Sequence, residues 1–213
     1  MWALLPLKRL EQAKLRLAAV LTPEQRRQLG LYMLADVLDV LSGSAVIAGV
    51  TVLSCDADVI SGARARGAEA LDTGADDGYT ADVLKGIEHI NGKCVNKALV
   101  IPADVPELSN EDLVLLDRAH QGGVTLCPAV RDGGTNGLVF TPPLPIDLKY
   151  GAHSFAEFCQ EAQQRRIPVN IVAPPGLARD LDRPEDLLAL RRQPQGNRTW
   201  RYLVDNPGLL VQE

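Results

Sequence analysis

The sequence predicts an α/β domain with a mostly parallel sheet held between layers of helix. Two observations carry this prediction. Short apolar runs of β-type residues alternate with longer segments of helical period, from residue 2 to about residue 191. Several runs, above all 97–102 after its opening Lys97, are apolar throughout, as strands covered on both faces must be. Ligands of such sheets bind beyond the carboxyl ends of the strands, so the residues that follow each strand are the ones to inspect.

The elements follow in order. "WALLPL" (2–7) reads as a strand and "TPEQRRQLGLYMLADVLDVL" (22–41) as an amphipathic helix. Thr22 is its N-cap, Pro23 its first helical residue, and Gln25 completes a capping box. A strand at 46–54, a helix near 56–66, a short strand at 68–72 and a helix near 80–90 come next. The strand 97–102 precedes a helix that Ser109 and Asp112 cap and that reaches about His120. Then come the strand 124–130, the glycine-rich loop "RDGGTN" (131–136), the strand "GLVF" (137–140), a helix near 154–166 and a strand at 167–173. A last helix starts near Asp182, with Glu185 as capping-box partner. The domain is read as 1–191, and no regular structure is assigned to the tail 192–213.

Composition narrows the function. The chain has 213 residues, 46% of them apolar, and a formal charge of −5. The acidic balance argues against a nucleic-acid groove, which shows as a basic excess. Cys55, Cys94, Cys127 and Cys159 are scattered and form no C-x-x-C pair, which points away from zinc and disulfides and towards a reducing cytoplasm. The N-terminal apolar run is followed, not preceded, by basic residues, unlike a signal peptide. No run approaches the ~20 apolar residues of a membrane span.

Polar residues beyond the strands supply the candidates. "PLKRLEQAKLRL" (6–17) gathers Lys8, Lys14 and Arg16, either a phosphate clamp or a solvated basic face. In "PADVPEL" (102–108), Asp104 sits just past a strand between prolines, as a magnesium ligand or a turn aspartate. In "RDLDRPEDL" (179–187), Asp180 and Asp182 alternate and would point to one side of an extended chain, although capping already accounts for Asp182. Thr135 and its neighbouring glycines form a possible anion seat, but the loop leads into a strand and matches neither common phosphate fingerprint. No Ser-His-Asp or Cys-His pairing stands out. A phosphate nucleophile needs none, because its second pKa of about 6 leaves it mostly dianionic at neutral pH.

With "PLKRLEQAKLRL", "PADVPEL", "DGGTNGL", "YGAHSF" and "DLDRPEDL" in this order, the sequence resembles the 2-phospho-L-lactate guanylyltransferase family of coenzyme F-420 biosynthesis over about residues 5–190. The resemblance implies a nucleotide-diphospho-sugar transferase-like three-layer sandwich with a mixed, mostly parallel sheet. It implies transfer of GMP from GTP to 2-phospho-L-lactate, phosphoenolpyruvate or 3-phospho-D-glycerate, with Mg2+ as cofactor, and homodimers in many members. Carried over, Lys8, Lys14 and Arg16 face the triphosphate, and Asp104, Asp180 and Asp182 hold the metal. Thr135, Gly151 and Ser154 hold the phosphorylated acid, and "DDGYTADVLKGI" (76–87), with Gly78 and Thr80, matches the guanosine side. The chain departs from the family at Ala103, where Gly is usual, and at Thr80, where an Asn amide is usual.

Rival readings each lack a feature or meet an obstacle. A molybdopterin nucleotidyltransferase opens on a glycine-rich loop after strand one, and a dinucleotide-binding oxidoreductase needs G-x-G-x-x-G there; "PLKRLEQAK" has neither. An inactive GTP-binding module has no need of three aspartates.

Overall fold

The computed structural model describes residues 1–193 and 196–210. Seven strands form one sheet in the order β3-β2-β1-β4-β6-β5-β7: β1 Trp2–Pro6, β2 Gly49–Ser54, β3 Glu69–Asp72, β4 Ala98–Val100, β5 Val124–Pro128, β6 Thr135–Phe140 and β7 Val169–Ile171. The four strands β3, β2, β1 and β4 are parallel. Only β6 runs against its neighbours β4 and β5, while β7 is parallel to β5.

Alternation along the strands builds the layers. Ala3 and Leu5 of β1, Val52 of β2 and Leu99 of β4 pack on one face, against helices α1 (Pro23–Gly43), α2 (Ala57–Arg64) and α4 (Asn110–Ala119). Leu4, Leu53, Val100 and Phe140 fill the other face, against α3 (Tyr79–Ile90) and α5 (Ser154–Gln164). The expected three-layer sandwich is therefore present. A third, smaller core lies off the sheet, between α1, α6 (Pro184–Arg192), α7 (Arg198–Asp205) and the turn Pro207–Leu210. No helix among the described residues is long and apolar enough to cross a membrane.

Both capping boxes read from the sequence at Thr22 and Ser109 are formed. Three features differ from expectation. Helix α6 is capped one residue later than the Asp182–Glu185 pair suggested: Asp186 Oδ2 accepts from the backbone N–H of Arg183 (2.8 Å) and of Asp182 (3.1 Å). The Asp182 carboxylate is thereby released from capping. Strand β6 begins at Thr135 rather than Gly137, so Thr135 and Asn136 belong to the sheet; the Asn136 amide meets its hydrogen-bonding need by donating to Leu177 O at 2.9 Å. Residues 198–205, assigned no regular structure from sequence, form α7, with Asn197 as N-cap.

Topology concentrates polar residues at one rim. The chain leaves β1 in one direction to build β2 and β3 and returns on the other side as β4, so a crevice opens between the ends of β1 and β4. Because β6 is antiparallel to β4, its first residue, Thr135, lies at that same rim.

Candidate active site

A cleft of about 610 Å³ occupies this rim. That volume suits a nucleotide-sized ligand. It is lined from the segment after β1 by Lys8, from the segment after β4 by Asp104, from the start of β6 by Thr135, from just before α5 and its first residue by Gly151 and Ser154, from the start of α3 by Gly78 and Thr80, and from the segment before α6 by Asp180. Lys14, Arg16 and Asp182 stand directly behind it through ion pairs. All eleven residues singled out in the sequence are thus brought together, from segments as far apart in the chain as those of Lys8 and Asp182.

Lys14 is the hub. Its Nζ lies 2.5 Å from Asp104 Oδ2 and 3.4 Å from Asp182 Oδ1, with its side chain only 8% exposed. Burial alone lowers an ammonium, but Asp104, Asp182 and Asp180 outweigh it and hold Lys14 above its ordinary value. Its backbone is left-handed, with φ +58° and ψ 35°, a conformation non-glycine residues rarely adopt and one that collects at functional sites. Arg16, largely exposed, pairs with Asp182 Oδ2. Burial raises the Asp182 carboxyl, yet Lys14 and Arg16 prevail and hold it below the usual range. Lys8 is exposed, and among the described residues it has no ion-pair partner.

The three aspartates do not converge as a ligand triad. Among the described residues, no group of three acidic, His or Cys side chains is placed to hold a metal. The reason is local: Lys14 sits between Asp104 and Asp182, and both Asp182 oxygens face cations. Asp104 Oδ1, however, is buried without a hydrogen-bond partner among the described residues, and Asp180 is raised by burial and by the Asp104 charge. An unpartnered buried carboxylate oxygen beside a second carboxylate that resists ionisation calls for a cation. Asp104 and Asp180 therefore fit magnesium, which takes one or two carboxylates and completes its shell with phosphates and water.

On the opposite wall, Thr135 Oγ1 and Ser154 Oγ lie 3.1 Å apart. Each hydroxyl carries one proton, so their mutual bond uses one and leaves the other to donate into the cleft. The neighbouring glycine amides do less than the sequence suggested. Gly134 N–H donates to Asp132 Oδ1 (2.9 Å), closing a turn, and Gly133 O accepts from Phe155 N–H (3.2 Å). That second bond locks the loop to α5, so the seat is built from side-chain hydroxyls more than from loop amides.

On the third wall, Gly78 precedes α3 with φ +96° and brings no capping side chain. The helix N-terminus is therefore open to an anion. Thr80 Oγ1 accepts from Tyr150 N–H at 3.0 Å, tying α3 to the segment that carries Gly151. The two aromatic residues of the lining, Tyr79 and Tyr150, were not among the sequence candidates; their rings meet edge-on at 4.7 Å. Burial pushes both hydroxyls up, and Tyr150 Oη is buried without a hydrogen-bond partner among the described residues. Their adjacency to Thr80 and Gly151 in the sequence was the available signal.

Known proteins resemble this chain in sequence and in fold. The chain is similar to the phosphoenolpyruvate guanylyltransferase of Roseiflexus castenholzii, 38% identical over 91% of this chain and 89% of the relative. It is 34% identical to the 3-phospho-D-glycerate guanylyltransferase of Phenylobacterium zucineum, over 91% and 90%. With the 2-phospho-L-lactate guanylyltransferase of Methanobrevibacter ruminantium it shares 28% identity over 95% and 89%. Among solved structures, a protein of Desulfovibrio desulfuricans described as a nucleotide-diphospho-sugar transferase superposes with a TM-score of 0.80 at 17% identity, covering 98% of this chain and 96% of that one. A 4-diphosphocytidyl-2C-methyl-D-erythritol synthase gives 0.61 at 14%, covering 90% and 96%; at such identities the likeness speaks for the fold alone. The family model described as "Guanylyl transferase CofC like" matches residues 1–207, and with it the chain belongs to this family of guanylyltransferases.

Proposed function

We propose that the protein transfers GMP from GTP to a phosphorylated three-carbon acid (phosphoenolpyruvate, 2-phospho-L-lactate or 3-phospho-D-glycerate) with release of diphosphate, as a cytoplasmic step of coenzyme F-420 biosynthesis. The observation that carries the reading is the cleft itself, with a hydroxyl pair, Thr135 and Ser154, on one wall and Lys8 and Asp104 on another, Lys14 paired with Asp104 from behind. The named relatives support this acceptor class.

The chemistry follows from positioning. A phosphate oxygen of the acid attacks the α-phosphorus of GTP in line, forming a new P–O–P bridge while the bond from the α-phosphorus to the bridging oxygen breaks and diphosphate leaves with that oxygen. Thr135 and Ser154 hold the acid's phosphate, which is mostly dianionic at neutral pH and needs no general base. Gly151 lets the backbone come close. Lys8 and Lys14 meet the charge of the triphosphate, and Asp104 and Asp182 keep Lys14 protonated and aimed. Gly78, Thr80 and the open end of α3 take the nucleoside side. Asp104 and Asp180 would hold magnesium, which when bound polarises phosphate oxygens and neutralises developing charge. Asp182, engaged with Lys14 and Arg16, acts from behind.

Incubation with GTP, magnesium and each acid in turn, followed by diphosphate measurement, tests the reading. At least one acid should release diphosphate, and Asp104→Asn should abolish the release while the fold stays intact. Full activity in that variant overturns the metal assignment, and silence with all three acids overturns the acceptor class.

A further inference from the structure

The segment after α6 is attached to the same loops that carry the charged wall of the cleft. Leu203 of α7 and Leu209 of the following turn pack into the third core with Leu17, Leu21, Leu181, Leu187 and Leu190. Leu17 directly follows Arg16, and Leu181 lies between Asp180 and Asp182. The apolar side of this segment therefore forms the floor beneath three charged residues of the site.

Polar contacts fix its start. Buried Asp36 of α1 accepts from Arg198 N–H (2.9 Å), Thr199 N–H (2.8 Å) and Thr199 Oγ1 (2.6 Å), placing a carboxylate on the N-terminus of α7. Asn197 works in two directions. Its Oδ1 caps α7 by accepting from Trp200 N–H at 2.8 Å, and its Nδ2 donates to Pro106 O at 2.8 Å. Pro106 is two residues past Asp104, in the loop whose Asp104 carbonyl also accepts from Leu181 N–H at 3.0 Å. The Asp104 loop is thus held on one side by the segment bearing Asp180 and on the other by the residue that starts α7.

We infer that Asn197 is a positioning residue of the transferase reaction: through the hydrogen bond that its side-chain amide donates to Pro106 O it fixes the loop that presents Asp104 to Lys14 and to the nucleotide phosphates. The inference rests on the reading of Lys14 and Asp104 as the nucleotide-phosphate wall. Catalysis by positioning is sensitive to displacements of this loop by fractions of an ångström. Helix α7 is then a working part of the enzyme rather than an appendage.

Asn197 allows the two duties to be separated. Aspartate and serine are both good N-caps, but an ionised aspartate has no proton to give Pro106 O and a serine hydroxyl is too short to replace the amide. Asn197→Asp and Asn197→Ser, made in the full chain, should keep the thermal midpoint near that of the wild type. Diphosphate release at saturating substrates should fall by about tenfold in both. The KM for the acid should stay within about twofold, because Thr135 and Ser154 lie on the other wall. Hydrogen–deuterium exchange should rise in residues 103–108 and remain unchanged in α7. Wild-type kcat and wild-type exchange in 103–108 for both variants would overturn the inference and leave the proposed function standing. Absence of diphosphate release from the wild type itself would overturn both.

Discussion

Lys14 Nζ and Asp104 Oδ2 are 2.5 Å apart, and Lys14 reaches that position from a left-handed backbone. Removing the ammonium leaves Asp104, Asp180 and Asp182 facing one another with one cation fewer. Lys14→Met should therefore lose about 3–5 kcal/mol of stability, the usual cost of breaking a buried pair from one side. Its diphosphate release should fall by a factor on the order of 100 or more. Urea denaturation and steady-state kinetics check the two outcomes. A stable, active Lys14→Met would mean that the pair is a surface bridge in effect.

The hydroxyl pair makes a prediction about the acceptor alone. Thr135→Val and Ser154→Ala should each raise the KM for the acid by about tenfold, the worth of one hydrogen bond to a charged group, with the KM for GTP nearly unchanged. Because the two oxygens touch at 3.1 Å, the double variant should cost less than the sum of the singles. A double-mutant cycle measures this, and strict additivity would refute a shared seat.

Helix α7 is clipped to α1 through the Asp36 carboxylate. Asp36→Ala leaves the part-buried N–H of Arg198 and the buried N–H and hydroxyl of Thr199 without their acceptor and should cost about 2–3 kcal/mol. The change should appear as a lower denaturation midpoint with protection lost first in 198–205. Uniform loss of protection across the chain would contradict a local clip.

His120 sets a pH dependence of stability. Its ring nitrogens lie 3.1 Å from Thr125 Oγ1 and 3.1 Å from Thr141 Oγ1, and burial, then Lys97, lower its pKa from 6.5 against the pull of Asp117. The unfolded chain therefore takes up a proton near pH 6.5 while the folded protein resists it to lower pH. Stability from this group is complete above about pH 6.5 and declines as the pH falls below it, towards the folded value. His120→Gln should flatten that limb in urea titrations between about pH 5 and 8. A parallel shift of the whole curve would remove His120 as the cause.

Local chemistry was legible where one segment carries the whole signal. Thr22 with Gln25 and Ser109 with Asp112 announce their helices within four residues, and both boxes are formed. The same logic misplaced the cap of α6 because Asp182, Glu185 and Asp186 all satisfy the spacing, and only tertiary contact sends Asp182 to Lys14 and Arg16. Helix α7 escaped because its partners are remote: Tyr202 stacks on Tyr32 at 5.2 Å, and Leu203 buries itself beside Leu17 and Met33. The candidate residues of the cleft came from motifs in chain order, but their arrangement did not. That Lys14, and not a metal, spans Asp104 and Asp182 depends on contacts 90 and 168 positions apart.

The reversal of β6 has a consequence for how this enzyme could be retuned. One wall of the cleft is the tip of a β-hairpin, β5 to β6, stitched to α5 by Phe155 and Ser154, whereas Lys8, Gly78 and Asp104 follow strands of the parallel half of the sheet. On the proposed function, the acceptor half is a contiguous stretch of chain, about residues 124–155, that can be transplanted as a cassette. Exchanging it with the equivalent stretch of a relative is the economical route to a new acid preference, since the triphosphate machinery stays on segments the graft never touches.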